Sequence, residues 1–433
     1  MPGADPNIGM MDDAITAMPG TDGTAGAPGS STDGDVPDPG SDTTDMGDEP
    51  VMPPTFDCEG LEVKCEGGRA GEYACSGVDL MGHLSGPAMQ GGTGNDIWGW
   101  TDPTTGKEYV LMGLTNGAAF VDISDPCRPV HLGHMRTETV DAVWRDLKVY
   151  RDHVYIVSES QAHGIQVYDL TQLRDITNPP MTIQPDSVVD TFGSTHNIVM
   201  NEESGHAYAV MTNNCASARS FDLSDPANPR DLGCWGTGNR IHDAQCVNYM
   251  GPDPEFAGRE LCFTGDEGRG MAIYDVTDKS AVTQVAALRY SGANYGHQGW
   301  LTEDHRYFLF GDEGDELSSR INTTTYVIDV SAIRDPSIAI TFTGPTSAID
   351  HNLFVRGDYA FLSAYTAGLR ILDLTNIDGG EVTEAGYFDA FPAHDNTGYN
   401  AMWGNYPFFG SGLVVTSGSE GLFILRPDPA FMQ

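Results

Sequence analysis

The sequence lacks the short motifs that most directly mark an enzyme. Its 433 residues contain no G-x-S-x-G elbow, no phosphate-binding P-loop and no H-E-x-x-H zinc motif. No C-x-x-C pair occurs among its cysteines either, which disfavours zinc-ribbon and thioredoxin-like proteins. These absences leave no residue that sequence alone marks as a nucleophile or general base, so an enzyme class cannot be assigned from motifs.

Basic residues and long apolar runs are also scarce. The chain has 22 basic against 62 acidic residues, only four of the basic ones are lysines, and the net charge is −40. Such a charge repels nucleic acid and anionic membrane surfaces. No apolar run approaches the roughly 18 residues that a membrane-spanning helix needs. The composition therefore indicates a protein of a salty or extracellular medium, or one that attracts cations.

What the sequence does contain is a repeat. A small residue is followed by alternating apolar positions, then Asp, an aliphatic residue and Ser or Thr, and the pattern returns every 44 to 54 residues. The seven copies are Gly117–Pro126, Gly164–Thr171, Ala218–Pro226, Gly270–Asp278, Thr324–Ser331, Gly368–Thr375 and Gly421–Pro427. The Asp is residue 122, 169, 222, 275, 329 or 373 in the first six copies, and Arg426 takes its place in the seventh.

Each copy belongs to a unit of four short strands separated by turn residues. In the third unit the strands, named A to D in order, are predicted at 196–200, 206–212, 218–223 and 230–235. Helical periodicity is not sustained anywhere in the chain. Four strands per unit of about 50 residues predict an all-β protein, a seven-bladed β-propeller of four-stranded blades, whereas a β-helix would need a shorter period.

The seventh unit has three strands before the chain reaches Gln433. The strand-like segment Val78–Leu84 is predicted to supply the fourth strand and so close the ring, since an open propeller would expose unpaired backbone. The predicted organisation is a disordered acidic tether rich in Gly, Pro, Asp and Thr (1–56), a cysteine-containing lead-in with the closing strand (57–94), and the propeller (95–433).

Eight cysteines suggest disulfides and therefore an oxidising compartment. The close spacings favour Cys65 with Cys75, Cys215 with Cys234, and Cys246 with Cys262, whereas Cys58 and Cys127 are paired only by elimination. The chain begins at Met1 without a basic segment followed by an apolar one. We expect export, with a leader that lies upstream of Met1.

Several long segments resemble a known family. The repeats resemble LVIVD repeats, and Cys65–Pro427 resembles the choice-of-anchor B family of bacterial extracellular proteins, most clearly at Gly68–Leu84, Ser194–Met200 and Ile241–Phe263. The resemblance implies an exported or cell-surface β-propeller with no settled activity, attached by anchors that differ between members. We expect attachment here through the acidic tether, as in a lipoprotein whose modified cysteine lies upstream of Met1.

Histidines recur at the start of strand A, the innermost strand of a blade. His196, His242, His297 and His351 open four of these strands, and Asp243 follows one of them. The turns after strand B are acidic, as in Asp266-Glu267-Gly268 and Asp312-Glu313-Gly314. Because strand A starts where strand B ends, both features should meet at one mouth of the channel. We predict a divalent cation there, held by the four histidines with Asp243 and Asp312. Zinc, manganese or iron suit imidazole with carboxylate, and calcium suits carboxylate alone.

The alternative for the histidines is a structural role, in which each one binds backbone in its own blade. The Asp that ends strand C is interpreted as structural, binding the turn that follows it. Tryptophans 98, 100, 144, 300 and 403 in or near strand A either line a channel for carbohydrate or peptide or pack between blades.

Two functions follow from this pattern. The first is a binding or scaffold module that recognises an extracellular protein, carbohydrate or small molecule. The alternative is a metal-dependent hydrolase, lactonase-like or phosphoesterase-like, which needs an open metal position and a pocket for its substrate. The sequence leaves open whether the protein is an enzyme, and it favours the binding module because it identifies no nucleophile or base.

Overall fold

Strands account for nearly all the regular structure of the residues described below, and they form seven mainly antiparallel sheets arranged as blades. The computed structural model describes Phe56, Cys58, residues 60–236 and residues 238–432. It confirms the seven-bladed propeller of four-stranded blades that the repeat predicts. The predicted disordered tether lies, apart from Phe56, outside the described residues.

The strands are numbered in chain order. Three precede the first blade: β1 (Arg69–Ala70), β2 (Tyr73–Ser76) and β3 (Val78–Leu84). Blade 1 contains β4 (Gly94–Thr101), β5 (Glu108–Leu114), β6 (Gly117–Asp122) and β7 (Val130–Arg136). Blade 2 contains β8 (Arg145–Tyr150), β9 (His153–Ser158) and β10 (Ile165–Asp169). Next, β11 (Met181–Ile183) joins blade 1 in parallel, and β12 (Ser187–Val189) completes blade 2.

The later blades follow the chain more simply. Blade 3 contains β13 (Asn197–Asn201), β14 (His206–Val210), β15 (Ala218–Asp222) and β16 (Arg230–Trp235). Blade 4 contains β17 (Asp243–Asn248), β18 (Glu260–Gly265), β19 (Met271–Asp275) and β20 (Thr283–Leu288). Blade 5 contains β21 (Gly296–Leu301), β22 (Tyr307–Asp312), β23 (Thr324–Asp329) and β24 (Ser337–Thr343). Blade 6 contains β25 (Leu353–Arg356), β26 (Tyr359–Ala364), β27 (Gly368–Asp373) and β28 (Thr383–Phe388), with β2 and β1 added outside β28.

Blade 7 is completed by the N-terminal segment. Its strands are β29 (Met402–Tyr406), β30 (Val414–Gly418), β31 (Leu422–Pro427) and, antiparallel to β31, β3. The predicted closure by Val78–Leu84 is confirmed. Arg426, which replaces the repeat's Asp, donates to Asp79 on β3 across 2.9 Å. The seventh copy therefore departs from the repeat where it binds the closing strand.

In the part of the chain that the structure describes, helices are few and short. The one α-helix there, α1, spans Asp315–Ser319. The 3₁₀ turns are Gly86–Met89, Leu170–Asp175, Glu267–Arg269, Ile377–Gly379 and Pro429–Met432. None of the helices in the described ranges is long and apolar enough to cross a membrane.

Apolar side chains from neighbouring blades pack face to face and form the core. Between blades 2 and 3, for example, Tyr155 and Val167 share one buried cluster with Ile198 and Phe221. Alternation along each strand sends these side chains into the gaps between sheets. Because every gap is filled in this way, each blade is supported by both of its neighbours.

The Asp at the end of strand C has the structural role that the sequence predicts. In six blades its Oδ1 accepts the backbone N–H two residues later, at 2.8 to 3.1 Å, which closes a tight turn. These residues are Asp122, Asp169, Asp222, Asp275, Asp329 and Asp373. The repeated Asp is therefore explained by folding and carries no functional site.

All eight cysteines form disulfides. The pairs are Cys58–Cys127, Cys65–Cys75, Cys215–Cys234 and Cys246–Cys262. Cys246 and Cys262 are direct cross-strand partners on β17 and β18, as expected for a link between strands A and B. Four disulfides are typical of a protein that folds in an oxidising, extracellular environment.

Candidate functional site

A bulge at the start of β21 positions His297. In blade 5, Gly296 pairs with Asp312 and Gly299 pairs with Phe310, so His297 and Gln298 together oppose a single residue. Such an extra residue bends the strand and redirects side chains. The other three histidines, His196, His242 and His351, lie just before innermost strands that pair without such a bulge.

The four predicted histidines lie side by side in an arc. The ring centroids of His196 and His242 are 4.3 Å apart, those of His242 and His297 are 4.2 Å apart, and those of His297 and His351 are 4.4 Å apart. All four side chains are buried. The rings face one another across blades 3 to 6, unlike the arrangement expected if each bound only its own blade.

A carboxylate that the sequence analysis did not select completes the arc. Glu313 follows β22, and its Oε2 lies 3.6 Å from Nε2 of His297 while its Oε1 lies 3.7 Å from Nε2 of His351. The hydroxyl of Tyr365 donates to the same Oε1 across 2.8 Å. We call His196, His242, His297, His351 and Glu313 the histidine mouth.

Three of these residues could hold a metal ion. One ligand atom each from His242, His297 and Glu313 lies within 4.8 Å of the other two, and this is the one such group of histidine, cysteine and acidic residues in the described ranges. His196 and His351 flank the group. Two imidazoles and one carboxylate therefore converge, where the sequence suggested four imidazoles with Asp243 and Asp312.

The structure places the two predicted aspartates outside this group. Asp312 ends β22, and its Oδ2 accepts hydrogen bonds from the hydroxyl of Tyr290 (2.7 Å) and the backbone N–H of Asn294 (2.8 Å). Asp243 accepts the N–H of Ala244 at 2.7 Å and lies near Lys148. A residue just past the end of a strand is free of the sheet's register. That property distinguishes Glu313 from Asp312 and could have identified it from sequence.

Burial keeps the imidazoles of His242, His297 and His351 neutral. It lowers the pKa of His242 and His297 far below the ordinary value, with neighbouring histidines adding to the effect, and lowers that of His351 to about 3. Burial also raises the pKa of Glu313 to about 7, although the bond from Tyr365 opposes that shift. The site thus presents nitrogen lone pairs together with a carboxylate that ionises near neutral pH.

Hydrogen bonds from Nδ1 orient two of the four imidazoles. Nδ1 of His196 donates to Oε1 of Glu159 across 2.6 Å, and Nδ1 of His351 donates to the carbonyl of Trp403. Nδ1 of His242 and Nδ1 of His297 are buried without a hydrogen-bond partner. An unpartnered buried nitrogen is costly. His242 and His297, the two histidines of the converging group, are thus the ones whose Nδ1 atoms lack a partner. The residues therefore fit a metal.

The mouth opens into a cavity of about 480 Å³ with aromatic walls. Trp144 and Tyr399 stand at its rim, 46% and 56% exposed, and Tyr295, Tyr365 and Trp403 line it. The other predicted tryptophans pack elsewhere. Trp98 and Trp300 both lie against Phe354, and Trp100 stacks on Tyr109.

One residue further along the innermost strands lies a second polar group. Asp96, Asp146 and Asp243, which we call the aspartate ring, surround the ammonium of Lys148. Its Nζ lies 2.5 Å from Asp146 and 3.7 Å from Asp96, and 4.7 Å from the ring centre of Trp98. Asp146 also accepts the N–H of Ile198 in the next blade. Lys148 therefore balances part of the charge of these acids, and the bond to Ile198 joins blade 2 to blade 3.

The arrangement offers nitrogen and oxygen ligands at the base of an open cavity lined by aromatic residues. The aspartate ring and Lys148 lie next to these ligands. It can bind a divalent cation and a small ligand above that cation. In comparisons with known proteins, no protein-family model and no curated protein matches the chain.

Proposed function

We propose that the protein is an extracellular binding module whose histidine mouth holds one divalent transition-metal ion and presents it to a ligand. The observation that carries this proposal is the convergence of His242, His297 and Glu313 within 4.8 Å at the base of the cavity. Four disulfides agree with an extracellular setting.

The donor set favours zinc, manganese or iron over calcium. Two imidazole nitrogens and one carboxylate oxygen suit a borderline divalent metal, whereas calcium takes six to eight oxygen ligands. The neutral state of His242 and His297 supports the same choice, since imidazole must be unprotonated to bind. Three protein ligands leave a coordination position open towards the cavity.

The walls favour a ligand with an apolar or aromatic surface and a metal-binding polar group. Trp144 and Tyr399 are large, exposed aromatic residues at the rim, and such residues are enriched where proteins bind partners. The volume of about 480 Å³ suits a small molecule or one side chain of an extracellular partner.

Metal analysis of the full chain, purified without chelator, tests this proposal. We expect about one equivalent of zinc, manganese or iron per chain in the wild type and a large loss in both His297→Gln and Glu313→Gln. His134→Gln is the matched control, because His134 is buried with two unpartnered ring nitrogens but lies outside the mouth. A wild type without metal that also fails to take up added Zn²⁺ would contradict the proposal.

A metal-dependent hydrolase is the second candidate, and one observation favours it. The pair of His196 and Glu159 lies beside the three-ligand group, with the rings of His196 and His242 4.3 Å apart. A histidine held by a carboxylate can act as a general base towards a metal-bound water. Turnover of lactone or phosphodiester substrates by metal-loaded protein, abolished by His196→Gln with metal still bound, would establish this activity over simple binding.

We also propose that the chain is one of the LVIVD-repeat, choice-of-anchor B proteins and that its acidic N-terminal segment tethers it to the cell. The residues quoted above for the resemblance support the first proposal. Fractionation of the native host, with the protein located by antibody, tests the second.

A further inference from the structure

Another cavity, of about 280 Å³, opens in blade 4 outside the histidine mouth. Its lining includes two arginines, Arg269 and Arg289, with Asn239, Asp266 and Met271. We call it the arginine cavity. Pockets that enclose a drug-sized ligand usually measure about 300–1,000 Å³. The arginine cavity is therefore suited to one chemical group, either free or at the end of a larger molecule.

Two neighbouring strands of blade 4 bring the arginines to one place. Met271, which begins β19, is paired with Leu288, which ends β20. Arg269 and Arg289 therefore lie just beyond the same ends of these two strands. At Gly270, whose φ is +86°, an added Cβ would lie 2.4 Å from the carbonyl oxygen of Leu288. Glycine is needed there because the two chain segments approach each other so closely.

A chain of buried hydrogen bonds positions the guanidinium of Arg269. Nη1 of Arg269 donates to Oδ1 of Asn239, a side chain that is buried. Nδ2 of Asn239 in turn donates to Oδ2 of Asp266 across 3.1 Å. Asp266 is also buried, and its Oδ1 accepts the hydroxyl of Thr264 across 2.7 Å. Residues of the blade interior therefore hold this arginine at the cavity.

Neither arginine of the cavity forms an ion pair with a residue that the structure describes. Acidic residues outnumber basic ones by 62 to 22, and all four lysines are paired with an acid. Glu267, two residues before Arg269, is paired with Arg240 at 3.4 Å. Asp266, the one acid in the lining, offsets part of the charge of Arg269. Among the described residues, the guanidinium of Arg289 is thus left without an acidic partner.

We infer that the arginine cavity binds a tetrahedral oxyanion, a sulfate or phosphate group, between Arg269 and Arg289. A guanidinium group presents its N–H donors in a rigid planar fork that fits the oxygens of such anions. Bonds of this kind between charged groups are shorter and stronger than neutral ones. A carboxylate has two oxygens, which a single fork can occupy. Sulfate and phosphate have enough oxygens to accept from both arginines.

The inference does not rest on the proposed function, because the arginine cavity contains no residue of the histidine mouth. The two sites also differ in chemistry. The mouth offers imidazole and carboxylate ligands, which suit a cation, whereas the arginine cavity offers guanidinium donors, which suit an anion. Loss of either site should therefore leave the other intact.

Isothermal titration calorimetry of the full chain with sodium sulfate, near neutral pH and at low ionic strength, tests the site. Salt must be low because it screens contacts to exposed arginines. The protein is first freed of metal with EDTA and dialysed, so that an anion bound to a metal ion in the mouth is not counted. We expect one saturable site with a dissociation constant on the order of 1 mM for sulfate and for phosphate, and about tenfold weaker binding of acetate. Tighter binding of glucose 6-phosphate than of free phosphate would support an ester as the source of the group, and weaker binding would support a free ion.

Arg289→Gln and Arg269→Gln should each weaken sulfate binding about tenfold or more, because each removes charge-assisted hydrogen bonds to the anion. Arg151→Gln is the matched control. Arg151 is exposed and lies over the ring of Tyr150, and it does not line the arginine cavity. A wild type without saturable binding of sulfate or phosphate would overturn the inference. An equal loss in Arg151→Gln would overturn it too, since sulfate would then respond only to overall charge. Acetate binding as tight as that of sulfate would contradict the preference for a tetrahedral anion.

Discussion

The histidine mouth and the aspartate ring lie next to each other on the same innermost strands. They differ in that only the aspartate ring contains a cationic side chain. His242 and Asp243 are neighbours in sequence, one in each group. The aspartate ring contains its own cation, because Lys148 lies 2.5 Å from Asp146 and 3.7 Å from Asp96. The mouth has no ammonium or guanidinium among its five residues, and two of its buried nitrogens have no partner.

This difference supports the proposal that the aspartate ring is structural and the mouth binds a ligand. Burial alone would lower the pKa of Lys148, but Asp146, Asp96 and Asp243 raise it, so the ammonium stays charged. The aspartate ring therefore contains a positive charge of its own. In the proposed function, an ion bound between His242, His297 and Glu313 completes the mouth. Recurrence in each blade does not by itself show which polar residues bind ligands; convergence of several donor atoms without an internal cation is the better indication.

Removing the ammonium group of Lys148 should have the largest effect on the free energy of unfolding. Lys148→Met leaves buried carboxylates without a counter-charge, and breaking a buried pair in this way costs about 3–5 kcal/mol. We expect a loss of that size in the free energy of unfolding at pH 7, measured by denaturant titration. Lys107→Met is the control, because the exposed pair of Lys107 with Asp122 (3.1 Å) should contribute less than about 1 kcal/mol. Equal losses in the two variants would contradict the role given to Lys148.

Removing a mouth ligand should affect metal affinity more than folding. His297→Gln deletes one of three ligands, and even residues that only orient a ligand change metal affinity about 10- to 100-fold. We expect a loss beyond that range in Zn²⁺ titration by calorimetry, with a melting temperature of the metal-free protein close to wild type. A variant that binds Zn²⁺ normally but unfolds more easily would make His297 structural.

Asp243 should lower the free energy of unfolding at high pH, because Lys148 balances its buried carboxylate only in part. Burial raises its pKa to about 7, although Lys148 opposes the shift. The folded state therefore holds this proton more tightly than the unfolded chain, and stability from this group is lost as pH rises from about 4 to 7. Asp243→Asn should be more stable than wild type by about 1–2 kcal/mol at pH 8 and no more stable near pH 4. Denaturant titration at the two pH values measures this, and a constant difference would refute it.

The smallest effect should come from removing the hydroxyl of Tyr365, which donates to Glu313, and it should appear in the pH dependence of metal affinity. Protons compete with metal for this carboxylate, whose pKa is about 7, so metal affinity should fall as pH drops below 7. His242 and His297 should not set this dependence, because burial holds their pKa values far below the ordinary imidazole value. Tyr365→Phe removes the 2.8 Å bond to Glu313 and should move the midpoint to higher pH, weakening binding a few-fold at pH 7. A midpoint unchanged in Glu313→Gln would show that another group controls binding.

Much of the fold could be predicted because the repeat fixes it. The period, the seven copies and the strand-like Val78–Leu84 were enough to predict the blades and their closure. The strands β1 and β2, which extend blade 6, were not predicted, since β1 has only two residues and neither belongs to a repeat. Edge additions of this kind depend on tertiary contact with β28 and leave little trace in local sequence.

The site was predicted less completely than the fold. The four predicted histidines lie next to one another in the structure, because each lies at or just before the start of an innermost strand. The predicted Asp312 is bonded to Tyr290 and Asn294, whereas Glu313, one residue past β22, lies within 3.7 Å of His297 and His351. Whether these residues hold a metal stays a prediction.

Anomalous X-ray diffraction from crystals of the full chain grown with Zn²⁺ tests the central claim most directly. The account predicts one strong peak at the zinc edge, about 2.0–2.2 Å from a ligand atom of each of His242, His297 and Glu313. A map with no peak in the mouth, or with those two rings turned towards backbone carbonyls and away from Glu313, would contradict it.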